Sequence, residues 1–281
     1  MRVAAIQCTA SADRPSNLAA AAELVAGAAG EGAELVVLPE LFSLYGDAPT
    51  LRAGAEPLDG PTPTWAAEVA SRHGIWLVAG SFIEGVGRSR NHNTSLLVGP
   101  DGTVMARYRK LHLFDVDVPG AVTRESDAVA AGEEVVSATI SLDDGLRLPV
   151  GLTICYDLRF PELYRDLTLA GALVIVVPSA FAAPTGGAHW EVLLRARAIE
   201  NQVFVIAADQ VGALSASFTA YGHSMIVGPW GTILAELPEG PGHVVADLDF
   251  ASQQEIRSLL PSLAHRRPEA YGHRSATTRS Q

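Results

Sequence analysis

Apolar runs of strand length alternate with helix-length segments along most of the chain. Val3–Gln7 reads as a first buried strand, followed by an Ala-rich helix from about Asn17 to Ala29. Leu35–Leu38 is a second strand, ended by Pro39, and Pro61–His73 a second helix with proline near its start. Ile75–Phe82, Thr94–Val98 and Val104–Tyr108 read as strands, the last two joined across Asp101-Gly102. Leu111–Gly132 has no period and reads as a long surface loop. Val135–Leu142 and Arg147–Ile154 form an expected hairpin across Asp144-Gly145. Helices are expected near Glu162–Ala170 and Trp190–Asn201, with Val174–Val177 and Val203–Ala207 as buried strands. Strands near His223–Val227, Thr232–Leu237 and His243–Leu248 precede a short helix near Gln253–Leu260, and 275–281 form a polar tail.

The pattern contains one internal echo. Gly32-Ala-Glu-Leu-Val-Val-Leu-Pro39 matches Gly171-Ala-Leu-Val-Ile-Val-Val-Pro178 in spacing, and the strands preceding them end in Cys8 and Cys155. Two βα units can converge on such text independently. The other reading is a pseudo-symmetric pair of sheets, each backed by helices on its outer side. No linker interrupts the chain, so the expected architecture is α/β, one domain over 1–274 with α-β-β-α layers.

Composition narrows the class. At 48% hydrophobic and 18% charged, the 281 residues can bury a large core. A formal net charge of −11 argues against nucleic acid or an anionic membrane surface as partner. Two cysteines make neither a disulfide framework nor a zinc site, so a reducing cytoplasm is expected. No signal-peptide h-region precedes Arg2, and no apolar run approaches the roughly 20 residues of a membrane span.

The candidate chemistry starts at Cys155, in Leu148-Pro-Val-Gly-Leu-Thr-Ile-Cys-Tyr-Asp-Leu-Arg159, where an apolar run meets polar residues. A free thiol titrates near pH 8.5 and needs a base or a cation to become a competent nucleophile. None of the eight histidines can be paired with it from sequence, and His189, opening an expected helix, suits capping equally well. Glu40 follows Leu35-Val-Val-Leu-Pro39, at the strand end where open α/β sheets bind ligands. Desolvation there would raise its pKa and suit a general base; an exposed loop carboxylate is the alternative. Lys110 closes Tyr108-Arg-Lys-Leu-His112, either to polarise a carbonyl or as a solvated strand-end charge. Glu125 lies in the aperiodic loop and reads as surface. Gly-x-Ser-x-Gly, a phosphate-binding glycine loop and metal-ligand spacings are all missing from the sequence.

Glutamate after strand and proline, lysine in Tyr-Arg-Lys-x-His, and cysteine in Ile-Cys-Tyr-Asp-x-Arg-Phe together resemble the nitrilase superfamily of carbon–nitrogen hydrolases. The likeness runs from Val3-Ala-Ala-Ile-Gln7 to Arg266-Arg-Pro-Glu-Ala-Tyr-Gly272. It implies a four-layer α-β-β-α sandwich, a homodimer or higher homo-oligomer through the outer helices, and no metal or cofactor. By motif it implies Glu40 as general base, Lys110 as oxyanion stabiliser, Cys155 as nucleophile and the Tyr156 backbone N–H as second oxyanion donor. Glu125 matches a further glutamate beside these three, against its reading as surface.

Within the superfamily the chain is similar to the ω-amidase and deaminated glutathione amidase branch. The implied substrate is a small amide carrying a carboxylate, and Tyr45, Phe181 and Thr185 match substrate-pocket positions. Arg159 could pair with the substrate carboxylate, or form a structural ion pair with Asp157 or Glu162. Thr185-Gly-Gly-Ala-His189 departs from the Thr-Gly-Pro-Ala-His of relatives, and Gly187 is expected to free a loop beside the pocket. Alternatives are a nitrilase or N-carbamoyl hydrolase with the same three residues, or a non-catalytic or redox-sensing scaffold.

Overall fold

The computed structural model describes residues 1–87, 91–118, 121–142, 145 and 147–271. In chain order the first part gives β1 (Arg2–Gln7), α1 (Arg14–Gly30), β2 (Leu35–Val37), α2 (Ala48–Ala53), α3 (Pro61–His73), β3 (Trp76–Glu84), β4 (His92–Val98) and β5 (Val104–Arg109). A ribbon of β6 (Asp115–Val118) and β7 (Ala121–Arg124) leads to β8 (Ser137–Ser141), β9 (Arg147–Leu152), α4 (Pro161–Leu169), β10 (Val174–Ser179) and α5 (Ala183–Asn201). Then come β11 (Phe204–Asp209), a second ribbon of β12 (Val211–Ser215) and β13 (Phe218–Tyr221), β14 (Ser224–Val227), β15 (Ile233–Leu237), β16 (Gly242–Asp247) and α6 (Phe250–Leu259).

Two six-stranded sheets result, in the orders β16-β1-β2-β3-β4-β5 and β8-β9-β10-β11-β14-β15. Along both orders the pairings run antiparallel, parallel, parallel, antiparallel, antiparallel. The sheets are therefore pseudo-symmetric. The echoed segments hold β2 and β10, and Cys8 and Cys155 follow the equivalent strands β1 and β9.

Strand alternation builds the layers. Val3 and Ala5 of β1, with Leu35 and Val37 of β2, enter one core with β9, β10 and β11 of the opposite sheet. Their neighbours Ala4, Ile6 and Val36 face outward against Ala21, Val25 and Ala28 of α1 and Ala66, Val69 and Ala70 of α3. Coverage on both faces explains why these strands read as unbroken apolar runs. On the far side, Leu163, Tyr164 and Leu167 of α4 and Trp190, Leu194 and Ala198 of α5 complete the α-β-β-α sandwich.

Several expectations need correction. Leu111–Gly132 is not one structureless loop: it holds the β6–β7 ribbon and a 3-10 turn over Glu125–Asp127. Polar contacts fix it, Arg124 to the Val116 carbonyl and the Ser126 N–H to Asp115, so no apolar period announces it. Helix α5 begins at Ala183 rather than Trp190, with Pro in its first turn. Thr185–His189 are thus helical, and Gly187 does not free a loop. Its neighbour Gly186 packs so closely on the Tyr221 ring that a methyl there would collide. Helix α2 and the β12–β13 ribbon had no expected counterpart, and α6 starts at Phe250, capped by Asp249. The expected hairpin β8–β9 is present, but Asp144 of its turn and the tail 275–281 lie outside the described residues.

One close approach matters for the site. β3 is bulged between Ala79 and Phe82, and there Gly80 presses on the chain leaving β2. A Cβ at Gly80 would collide with the carbonyl oxygens of Leu38 and Pro39, immediately before Glu40. Gly80→Ala is expected to lower stability by about 2–3 kcal/mol, read as a lower denaturant midpoint at unchanged slope. A wild-type midpoint would contradict this packing.

Candidate active site

Topology gathers the polar residues. β2, β3 and β5 point one way and β4 the other, so the ends of β2 and β5 share a sheet edge with the beginning of β4. Glu40 stands just past β2, Lys110 just past β5, and Asn93 near the start of β4. Lys110 Nζ donates to Glu40 Oε1 and to Glu125 Oε2, each at 2.8 Å. Asn93 Nδ2 donates to the other side of the cluster, 2.8 Å from Glu40 Oε1 and 2.9 Å from Glu125 Oε1. The Ala180 N–H reaches Glu40 Oε2 at 3.0 Å, and the Phe114 N–H reaches Glu125 Oε2 at 2.7 Å. Lys110 and Glu40 are 2% and 4% exposed, which removes their readings as solvated strand-end and loop charges.

Cys155 enters from the opposite sheet. It lies beyond the end of β9, not on it, and opens a 3-10 turn over Cys155–Arg159 with φ of 46°. A non-glycine residue in this left-handed region carries strain of about 1–3 kcal/mol, which surrounding contacts must hold. Asp157 supplies them. Fully buried, it accepts from the Ile154 N–H at 2.9 Å, the Tyr108 hydroxyl at 2.6 Å and the His112 N–H at 3.1 Å. His112 Nδ1 is 2.7 Å from the same carboxylate. Tyr108 and His112 flank Lys110, so Asp157 ties the lysine's strand directly to the Cys155 turn. The Tyr156 N–H sits in the first turn of this 3-10 segment, where intrahelical acceptors are lacking.

Charge and burial oppose each other here. Burial works against the Lys110 ammonium, but Glu125, Glu40 and Cys155 outweigh it and hold its pKa well above the usual value. Burial pushes the Cys155 thiol well up, and Glu40 and Asp209 push the same way while Lys110 opposes them. At neutral pH this favours the thiol over the thiolate at Cys155. Asp209, also fully buried, is pushed well up by burial and by Glu40, against the N–H groups of Phe181 and Gly222 that it accepts. Cys8 differs in its surroundings: burial pushes it up to about 12, and its Sγ faces the Gln210 amide. That amide also donates to the Glu40 carbonyl oxygen at 3.0 Å.

Cys155 borders two spaces. A chamber of about 300 Å³ is lined by Glu40, Lys110, Glu125, Tyr45 and Phe218, among others. A slot of about 10 Å³, also bordered by Cys155, is lined by Tyr156, Arg159, Phe181 and Thr185. The residues expected to bind substrate are therefore divided, with Tyr45 in the chamber and the other three in the slot. Arg159 forms no ion pair with Asp157 or Glu162; among the described residues its partners are His189 Nδ1 at 3.1 Å and the Phe181 and Tyr156 rings. Sequence reasoning missed Asn93, Asp157, Asp209 and Gln210 as supports. The polar Asp209-Gln210 pair ending an apolar run was the one available signal. Among the described residues, no group of three or more His, Cys, Asp and Glu is placed to hold a metal ion.

Comparison with known proteins agrees with this arrangement. Residues 2–258 match the carbon-nitrogen hydrolase family. Mouse deaminated glutathione amidase is 44% identical over 280 residues, covering 96% of this chain and 84% of that protein. Human omega-amidase NIT2 is 39% identical over 271 residues, covering 96% of both. The crystal structure of the C. elegans NitFhit protein superposes with a TM-score of 0.88 at 38% identity, over 96% of this chain and 66% of that one. The chain belongs to the carbon–nitrogen hydrolase family of the nitrilase superfamily, as a hydrolase of C–N bonds in amides.

Proposed function

We propose that the protein is an amidase working through a Cys155 thioester, with Glu40 as general base and acid and Lys110 as oxyanion stabiliser. The observation that carries this reading is the buried ammonium of Lys110, bound to two carboxylates, in the chamber that also exposes Cys155. With the thiol's pKa raised, little thiolate forms at rest, so proton removal by Glu40 accompanies attack. The new S–C bond turns the carbonyl oxygen into an oxyanion facing Lys110 Nζ and the Tyr156 N–H. Glu40 passes its proton to the nitrogen, the C–N bond breaks and the amine leaves. Water then loses a proton to Glu40 and attacks the thioester; the C–S bond breaks, releasing the acid, and the proton returns to sulfur. Glu125 fixes the direction of the Lys110 ammonium, and Asn93 fixes both glutamates.

For substrate we infer an ω-amide of a short α-keto acid, or deaminated glutathione, with a carboxylate held by Arg159. Among the described residues the guanidinium pairs with no carboxylate and lies beside the thiol, and the two relatives are named an omega-amidase and a deaminated glutathione amidase. Homodimerisation through α5 is supported by its exposed Val192 and Ile199, the latter against Gly231, which follows the exposed Trp230.

Purified protein should release ammonia from 2-oxoglutaramate, and acid-quenched samples should carry an acyl group on Cys155. Cys155→Ser should do neither; equal turnover by this variant would rule out the mechanism. Glu40→Gln is expected to reduce kcat/KM by about 10²–10⁴-fold, and a wild-type value would remove Glu40 as base. Asn93→Leu should cut kcat about 10–100-fold with little change in KM, because it misdirects the two glutamates without touching substrate. A change in KM alone would assign Asn93 to binding instead.

A further inference from the structure

The two oxygens of Glu40 are not equivalent. Lys110 and Asn93 both donate to Oε1, which leaves Oε2 for proton exchange. Among the described residues Oε2 accepts only the Ala180 N–H, at 3.0 Å. Ala180 also borders both spaces beside Cys155, and its N–H favours the thiolate against burial. The direction of this one N–H therefore sets how Glu40 meets the thiol.

The end of β11 holds that direction. β10 and β11 finish side by side, with Ser179 paired to Asp209. The Gln210 N–H donates to the Ser179 carbonyl at 3.0 Å and fixes the peptide that carries the Ala180 N–H. Asp209 fixes the next peptide, its Oδ1 accepting from the Phe181 N–H at 2.8 Å. Its Oδ2 accepts from the Gly222 N–H at 3.1 Å, a donor that the Gln210 carbonyl shares at 3.0 Å. Asp209 is fully buried, and among the described residues no Lys, Arg or His pairs with it. An uncompensated buried carboxyl costs stability, and groups held at such cost cluster at functional sites. Resting on the amidase reading above, we infer that Asp209 is a positioning residue for the reaction. By holding the Phe181 N–H it keeps the Ala180 N–H on Glu40 Oε2. Ionised or protonated, the carboxyl retains acceptor capacity for this bond.

The test measures kcat, KM and denaturant midpoint for wild type, Asp209→Leu, Asp209→Ala and Asp209→Asn on ω-amides of short α-keto acids. Leu keeps the shape and Ala relieves the bulk; both delete the acceptor, so a fold defect in one leaves the other to decide. Asn keeps Oδ1 for Phe181, while Gly222 retains the Gln210 carbonyl. Expected in the Leu and Ala variants is a fall in kcat of about 10–100-fold with KM within about threefold. Asp209→Asn should recover kcat to within about threefold of wild type, and Asp209→Ala should add less than about threefold in a Glu40→Gln background. Wild-type kcat in a folded Leu or Ala variant would overturn the inference, as would a change confined to KM. So would an Asn variant as slow as the others, or losses that multiply with Glu40→Gln. Loss of folding in both acceptor-free variants would assign Asp209 to stability instead. Wild type inert toward these amides would overturn the amidase reading itself, an outcome distinct from an active wild type with indifferent variants.

Discussion

A buried ammonium held between two carboxylates is the constraint on which the rest depends. Taking the Lys110 charge out of water costs several kcal/mol, and only close partners can offset it. Glu40 and Glu125 do so at 2.8 Å each. That leaves a net negative cluster, which is tolerable because Asn93, Ala180 and Phe114 donate hydrogen bonds into it. Every donor comes from a different segment of the fold. The cluster therefore exists only when both sheets are assembled, and its geometry is set before a substrate arrives.

The same cluster decides how the thiol behaves. A lysine beside a cysteine would ordinarily favour thiolate, but here the cation is already committed to two anions. Burial and Glu40 prevail and hold the Cys155 thiol's pKa well up. Its strained backbone is maintained by Asp157, whose bonds to Tyr108 and His112 couple the position of Cys155 to that of Lys110. Asp157 is thus one tie between the two sheets, beside the Ala180 N–H and the Gln210 amide that reach Glu40.

The pseudo-symmetry gives the site its asymmetry of roles. β1 and β9 each deliver a cysteine, and β2 and β10 each run into a proline. Past the prolines the halves diverge, with Glu40 after one and Ser179 after the other. One half contributes Glu40 and Lys110, the other Cys155 and its turn. Cys8, on the half that carries Glu40 and Lys110, packs instead against the Gln210 amide that steadies Glu40.

The sequence by itself determined the layered α/β architecture, because strands buried on both faces must be continuously apolar and cannot be mistaken for surface elements. It also put Glu40, Lys110 and Cys155 at strand ends, but left a loop carboxylate and a solvated lysine as open alternatives; the motif resemblance singled the three out, and burial in the fold removed those alternatives. Asn93 stayed hidden because its role depends on β4 running antiparallel to its neighbours, which no local pattern records. Asp157 looked like a partner for Arg159 until the fold brought Tyr108 and His112 to it. The β6–β7 ribbon and the early start of α5 were missed because side-chain hydrogen bonds and one glycine–tyrosine contact hold them, in place of apolar periodicity. Tertiary structure alone set the charge state of the thiol and the division of space around it. Both are sums over groups distant in sequence, and only close packing makes those groups neighbours.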